Sequence, residues 1–284
     1  MCTLIYASDV SNDMELMNVG RIDNRFSELK SKKRQAFVAY ITAGDPTLDV
    51  TVSIVKEFDK RGVDIIELGV PFSDPVADGP VNQEAAMRAL ENDVSVADIL
   101  EAVREMRKET EIPIIFFAYY NTILAHGLER FVKDASDAGL DGALMLDLPP
   151  EEAGEYKRLM DEYGLSTIFL VSPVTPESRM KTIAPMATGF VYYVTQMGVT
   201  GERDNIAGDL SGHIDMIRTH TDTPVVAGFG ISTPDQVRAT SHFADGVVVG
   251  SAIVRRIKEY ADSADVACEV GAYVETLTKV LREH

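Results

Sequence analysis

The sequence predicts an α/β protein built as a single (β/α)8 (TIM) barrel with a capping helix before its first strand. Three observations carry this. Eight short aliphatic or β-branched runs are each bounded by Gly, Pro, Asp or Ser, and longer helix-period stretches separate them. The first strand-to-helix turn reads TAGDPT, without the G-x-G-x-x-G that an open doubly wound sheet would normally place there. No linker, low-complexity tract or repeat divides the 284 residues, a length that suits one closed barrel.

In chain order, RIDNRFSELKSKKR (21–34) reads as a short helix covering the bottom of the barrel. The strand runs are AFVAYIT (36–42), DIIELG (64–69), IPIIFFAYY (112–120) and DGALMLDLP (141–149), then STIFLVSP (166–173), GFVYYVT (189–195), TPVVAGFG (223–230) and DGVVVGS (245–251). Between them, stretches such as DVTVSIVKEFDKRG and SVADILEAVREMRKE have the helical period, and several helix-period stretches stop at a Gly. Residues 1–20 have no periodicity and are expected to be a poorly ordered extension, or to precede the true start at Met14 or Met17. Residues 21–284 are expected to form the catalytic barrel domain.

Forty-five acidic against 27 basic residues give a net charge of −18, which disfavours nucleic acid and anionic membranes as partners. Cys2 and Cys268 have neither metal-site spacing nor a disulfide framework, in keeping with a reduced cytoplasm. No apolar run is long enough for a membrane span, and the N-terminus lacks the basic region of a signal peptide.

Chemistry in such barrels sits at the carboxyl ends of the strands. Glu67 follows Ile65 and Ile66 and precedes Leu68, so strand alternation points it inward. Desolvation there would raise its pKa toward neutrality, the condition for both giving and taking a proton. The competing reading is a glutamate paired with a buried base, but no Lys or Arg ends any strand run. Asp78, in DPVADGP, is open between a turn residue and a catalytic one. Asp45 in GDPT reads as a helix N-cap or turn residue, and Asp147 as a substrate-orienting group or loop brace. Tyr40, Tyr119 to Asn121, Tyr192 and Tyr193 supply aromatic walls to the same mouth.

After the sixth, seventh and eighth runs come MGVTGE, GFGIS and VGSAIV. Glycines let backbone N–H groups approach an anion closely, and Ser251 is expected to open a long final helix at its positive end. Phosphate is the expected anion at these loops. The five histidines form no ligand set, no lysine ends a strand as a Schiff-base aldolase requires, and no G-x-S-x-G, P-loop or HExxH occurs. The methionines read as core filler.

FVAYITAGDPT, ELGVPFSDPVADGP, YYN, DLPPEE, GVTGER, GFGIS and GSAIV occur in the order found in the tryptophan synthase alpha subunit family, which the chain resembles from Arg21 onward. The resemblance implies cleavage of indole-3-glycerol phosphate to indole and glyceraldehyde 3-phosphate, a retro-aldol reaction without a cofactor. It makes Glu67 the acid/base and Asp78 the contact to the indole nitrogen, expected to engage once substrate binds. It puts the phosphate on Gly201, Gly230, Gly250 and Ser251, and the indole ring among Tyr40, Tyr119, Leu144, Leu170 and Tyr192. Thr200 falls in a loop that closes over substrate. FSDPVAD, with Asp74 facing outward, would communicate with a pyridoxal-phosphate beta subunit in an α2β2 heterotetramer. Asn82, Thr122, Thr195 and Met197 depart from the usual pattern, and none of them replaces Glu67 or Asp78. Two alternatives remain: a stand-alone indole-producing lyase, and a catalytically idle activator of a beta subunit, which the intact Glu67 and Asp78 argue against.

Overall fold

The computed structural model describes residues 20–194, 203–228 and 230–282, so all but the last residue of the expected 1–20 extension lies outside the described residues. Strands β1 (Ala36–Thr42), β2 (Ile65–Gly69), β3 (Ile114–Ala118), β4 (Gly142–Met145), β5 (Ser166–Val171), β6 (Val191–Val194), β7 (Val225–Gly228) and β8 (Gly246–Val249) pair in chain order. All are parallel, and the sheet closes where Ala36 of β1 lies opposite Gly246 of β8. The expected barrel is borne out.

The helices are α1 (Arg21–Ser31), α2 (Leu48–Lys60), α3 (Pro80–Leu90), α4 (Val96–Arg107), α5 (Tyr120–His126) and α6 (Leu128–Ala138). They continue with α7 (Gly154–Glu162), α8 (Glu177–Ile183), α9 (Arg203–Arg218), α10 (Pro234–Ser241), α11 (Ser251–Glu259) and α12 (Val266–Thr278). Local chemistry starts several of them. Ser95 with Asp98 and Thr233 with Gln236 form capping boxes at α4 and α10, and Pro occupies the first turn of α3 and α10.

Alternation along each strand sorts the side chains. Phe37, Ala39, Ile41, Ile66 and Leu68 point outward and pack under the helices. Val38, Ile65, Ile115, Leu144, Ile168, Val226 and Val248 point inward and fill the barrel. Below them, Ile22, Phe26 and Leu29 of α1 plug the N-terminal end, with Phe26 and Phe190 ring centroids 6.2 Å apart. The plug is pinned by charge. Arg25 and Arg34 reach the buried Asp64, while Arg21 and Arg107 reach Asp141, at 2.5–3.3 Å. The helix expected to cover the bottom does so, ending three residues early at Ser31.

Most strands stop short of the sequence runs that predict them. Tyr120 opens α5 and Asp147 lies past the end of β4, because these residues leave the sheet to build the loops of the mouth. The long helix expected from Ser251 is two helices, α11 and α12, separated by residues 260–265.

Candidate active site

Register fixes the first acid. Glu67 pairs with Tyr40 of β1 on one side and Ile115 of β3 on the other, two residues above the inward Ile65. It is fully buried, and neither carboxyl oxygen finds a hydrogen-bond partner among the described residues. Burial without a compensating partner pushes its pKa up to about 8, so the acid is largely protonated at neutral pH. Gly69, at the end of the same strand, lets Tyr40 pack close: a β-carbon there would lie 2.4 Å from the Tyr40 hydroxyl. Burial also raises the Tyr40 and Tyr192 phenols, which stay neutral beside Glu67.

A cavity of about 350 Å³ opens above Glu67, a size suited to a small-molecule substrate. Tyr40, Phe117, Leu146, Leu170 and Tyr192 form its apolar floor and walls. Leu144 is not among its lining residues. It lies one inward position deeper on β4, in the filled layer, and Leu146 reaches the mouth instead. Phe117, edge-on to Tyr40 at 5.1 Å between centroids, and Leu146 were both missed by sequence reading. The inward spacing from Ile115 and Leu144 is the signal that finds them.

Asp78 enters from the loop between β2 and α3. The Tyr119 hydroxyl donates to Asp78 Oδ2 at 3.0 Å. The Gln83 side chain donates to the Asp78 backbone carbonyl at 2.9 Å. Burial raises the Asp78 pKa, and the Tyr119 hydrogen bond opposes that rise. Asp78 is thus held at both its carboxylate and its backbone. The Tyr119 bond, from the residue after β3, spans 41 residues and is tertiary, whereas the Gln83 bond spans five and is local.

Gly230, Gly250 and Ser251 border the same cavity. Gly230 has φ +70° with open space where a β-carbon would lie, and Gly250 caps α11, whose first residue is Ser251. Arg255, one turn further along α11, also borders the cavity and was missed; its i+4 spacing from Ser251 is the signal. Gly201 and Thr200, with Thr195 and Met197, lie outside the described residues.

Other expectations resolve differently. Asp45 is not a cap. It is buried and held by both sides of the Arg88 guanidinium at 2.7 and 2.8 Å, tying the loop after β1 to α3, while Thr47 caps α2. Asp147 braces its loop by accepting from the Tyr120 N–H at 2.7 Å. Asp74 is exposed, and among the described residues its side chain is bonded only by the Ser73 hydroxyl at 3.3 Å. No cluster of metal-ligating side chains occurs among the described residues.

A (β/α)8 barrel with a neutral buried acid, a tethered second carboxylate and glycine loops around one cavity is equipped for proton-transfer chemistry on a small phosphorylated substrate. Comparison with known proteins makes this specific. The family model described as "Tryptophan synthase alpha chain" matches residues 26–281. The chain is 49% identical over 243 residues to the tryptophan synthase alpha chain of Geotalea daltonii, covering 86% of this chain and 92% of that one. It is 48% identical to that of Geobacter sulfurreducens, covering 93% and 98%. The crystal structure of tryptophan synthase subunit alpha from Legionella pneumophila str. Paris superposes with a TM-score of 0.87 at 37% identity, covering 94% of this chain and all of that one. The chain belongs to the tryptophan synthase alpha chain family. It is a lyase that cleaves indole-3-glycerol phosphate to indole and glyceraldehyde 3-phosphate, and membership brings with it a beta-type partner. No described helix is long and apolar enough to cross a membrane.

Proposed function

We propose that Glu67 is the proton donor and acceptor of the retro-aldol cleavage and that Asp78 stabilises the charge it creates. Glu67, protonated at neutral pH, delivers its proton to indole C3. The ring becomes an indoleninium cation whose nitrogen carries positive charge, and the Asp78 carboxylate accepts its N–H. Glu67, now ionised, removes the proton from the hydroxyl on the carbon next to C3. That hydroxyl becomes the aldehyde as the carbon–carbon bond breaks, and the bonding pair returns to the ring. Glu67 ends protonated, as it began.

Tyr40, Leu170 and Tyr192 would hold the ring over Glu67, while the backbone at Gly230, Gly250 and Ser251, together with Gly201, would hold the phosphate. Thr200 belongs to the proposed closing loop, and Asp74 to the face that meets the beta subunit in an α2β2 heterotetramer. The protein would act in the cytoplasm as one barrel domain over residues 21–284, preceded by a short extension.

The observation that carries this reading is the buried, unpartnered Glu67 carboxyl, held neutral by burial at the floor of the cavity. The test is indole release by Glu67→Gln, which keeps the shape and loses the exchangeable proton. A loss on the order of 10²-fold or more is expected. A variant retaining over about a tenth of the wild-type rate would sink the assignment.

A further inference from the structure

The turn that carries Asp78 has little packing to hold it. Its ends meet where the Asp78 N–H donates to the Pro75 carbonyl at 3.0 Å. Between them Val76 and Ala77 are both exposed, so neither side chain anchors the turn in the core. Hydrogen bonds from outside the turn do that work instead. Tyr119 takes the Asp78 carboxylate and the Ala77 N–H from one side.

Gln83, in the first turn of α3, takes the other side. Its Nε2 donates to the Asp78 backbone carbonyl at 2.9 Å and reaches the Pro75 carbonyl at 3.4 Å. Both partners only accept, which sets the amide with its nitrogen toward the turn. One side chain therefore spans both ends of the turn. The helix behind it is a firm base. Arg88 of α3 holds the buried Asp45 through two guanidinium nitrogens, and Glu84 of α3 meets Lys258 of α11 at 2.6 Å.

Resting on the role proposed for Asp78, we infer that Gln83 is a positioning residue for the cleavage: its amide clamps the 75–78 turn to α3 and so sets where the Asp78 carboxylate stands in the cavity. A carboxylate that stabilises charge formed during the reaction must already be in place, and a small displacement weakens it. The clamp grips backbone and is not itself a lining residue of the cavity. Its loss should therefore lower kcat, while binding of the phosphate changes little.

The experiment measures kcat, KM, inhibition by glycerol phosphate and melting temperature for wild type, Gln83→Met, Gln83→Glu, Asp78→Asn and the Gln83→Met/Asp78→Asn double variant. Met keeps the unbranched length of Gln but cannot donate. Gln83→Met should lose roughly five- to tenfold in kcat, with KM and glycerol phosphate inhibition within about twofold of wild type. Gln83→Glu keeps the shape, turns an ionised carboxylate toward two carbonyls and should lose at least as much. In the Asp78→Asn background, Gln83→Met should cost little more, because the group it positions is already gone. Melting temperatures establish that each variant is folded during the assay. Equal fold-losses from Gln83→Met in both backgrounds would make Gln83 a general support of the fold and overturn the inference. Asp78→Asn also separates the two layers. If it keeps wild-type activity, the role proposed for Asp78 falls and this inference with it. If it is impaired while Gln83→Met keeps the wild-type kcat, only the role of Gln83 falls.

Discussion

Tyr119 and Asp78, 41 residues apart in sequence, are joined by a 3.0 Å hydrogen bond from the phenol to Asp78 Oδ2. The same phenol oxygen accepts the Ala77 N–H at 2.9 Å. One side chain at the end of β3 therefore grips both the carboxylate and the backbone of the loop that carries it. Phe72, with its ring centroid 5.0 Å from that of Tyr119, packs against the grip.

Tyr119→Phe should consequently lower kcat/KM by roughly tenfold, the usual worth of a hydrogen bond to a charged group. The sign of its pH effect follows from the donor. The phenol favours ionised Asp78, so removing it raises the Asp78 pKa, and the acid limb of the profile moves to higher pH. A pH–rate profile of the variant checks this. An unmoved limb would show that Tyr119 holds the loop without tuning the acid.

Glu67 also makes a prediction about stability. Its pKa is about 8 in the fold against an ordinary value of 4.5, so the native state binds the proton more tightly than the unfolded chain. Stability associated with the neutral acid is fully present below about pH 4.5 and is lost as pH rises through about 8. Glu67→Gln cannot ionise and escapes this loss. The melting temperature of the variant minus that of wild type should rise by a few degrees between pH 5 and pH 9. A difference that stays flat across that range would place the ionisation cost elsewhere.

How far the site was legible depends on the range of the contacts that build it. β1 matches its run residue for residue, and the inward aim of Glu67 follows from period-two alternation, which is local. Leu144 came from the family resemblance, and it lies one inward position below the cavity lining, where Leu146 stands. Asp45 reads locally as a cap or turn residue; the turn is borne out, but its partner Arg88, 43 residues away on α3, is beyond local reach. The hold on Asp78 from Tyr119 is likewise tertiary.

At the phosphate end, Gly230 offers a test that separates conformation from bulk. A β-carbon there meets nothing within 4 Å, but φ +70° is a backbone region that side chains with a β-carbon rarely adopt. Gly230→Ala should therefore shift the loop without a clash. The expected result is a rise in KM of roughly tenfold or more, with kcat much less affected, because anion contacts act on binding throughout the reaction. Glycerol phosphate should compete with substrate in the wild type at millimolar levels and more weakly in the variant. Unchanged KM and unchanged inhibition would reduce the loop to a turn.

Partnership turns on the loop after β2. Asp74 is exposed, its carboxylate is bonded among the described residues only by Ser73, and its backbone carbonyl, which takes the Val76 N–H at 2.8 Å, survives any substitution. Val76 beside it is 86% exposed, an apolar side chain left in water at the rim of the active-site mouth. The same loop delivers Asp78 to the cavity, so a beta subunit docked here could bias the position of Asp78 through Asp74 without touching substrate. Asp74→Ala should leave the basal rate of the isolated chain and its melting temperature near wild type, since the side-chain bond it loses is the exposed, long one to Ser73. It should also remove most of the rate gain produced by added beta subunit, because the coupling is lost while the chemistry remains. If Asp74 instead secured the turn through Ser73, basal rate and melting temperature would drop together. Measuring basal rate, stimulated rate and melting temperature on the same preparation separates these outcomes, and equal stimulation of variant and wild type would remove Asp74 from the interface.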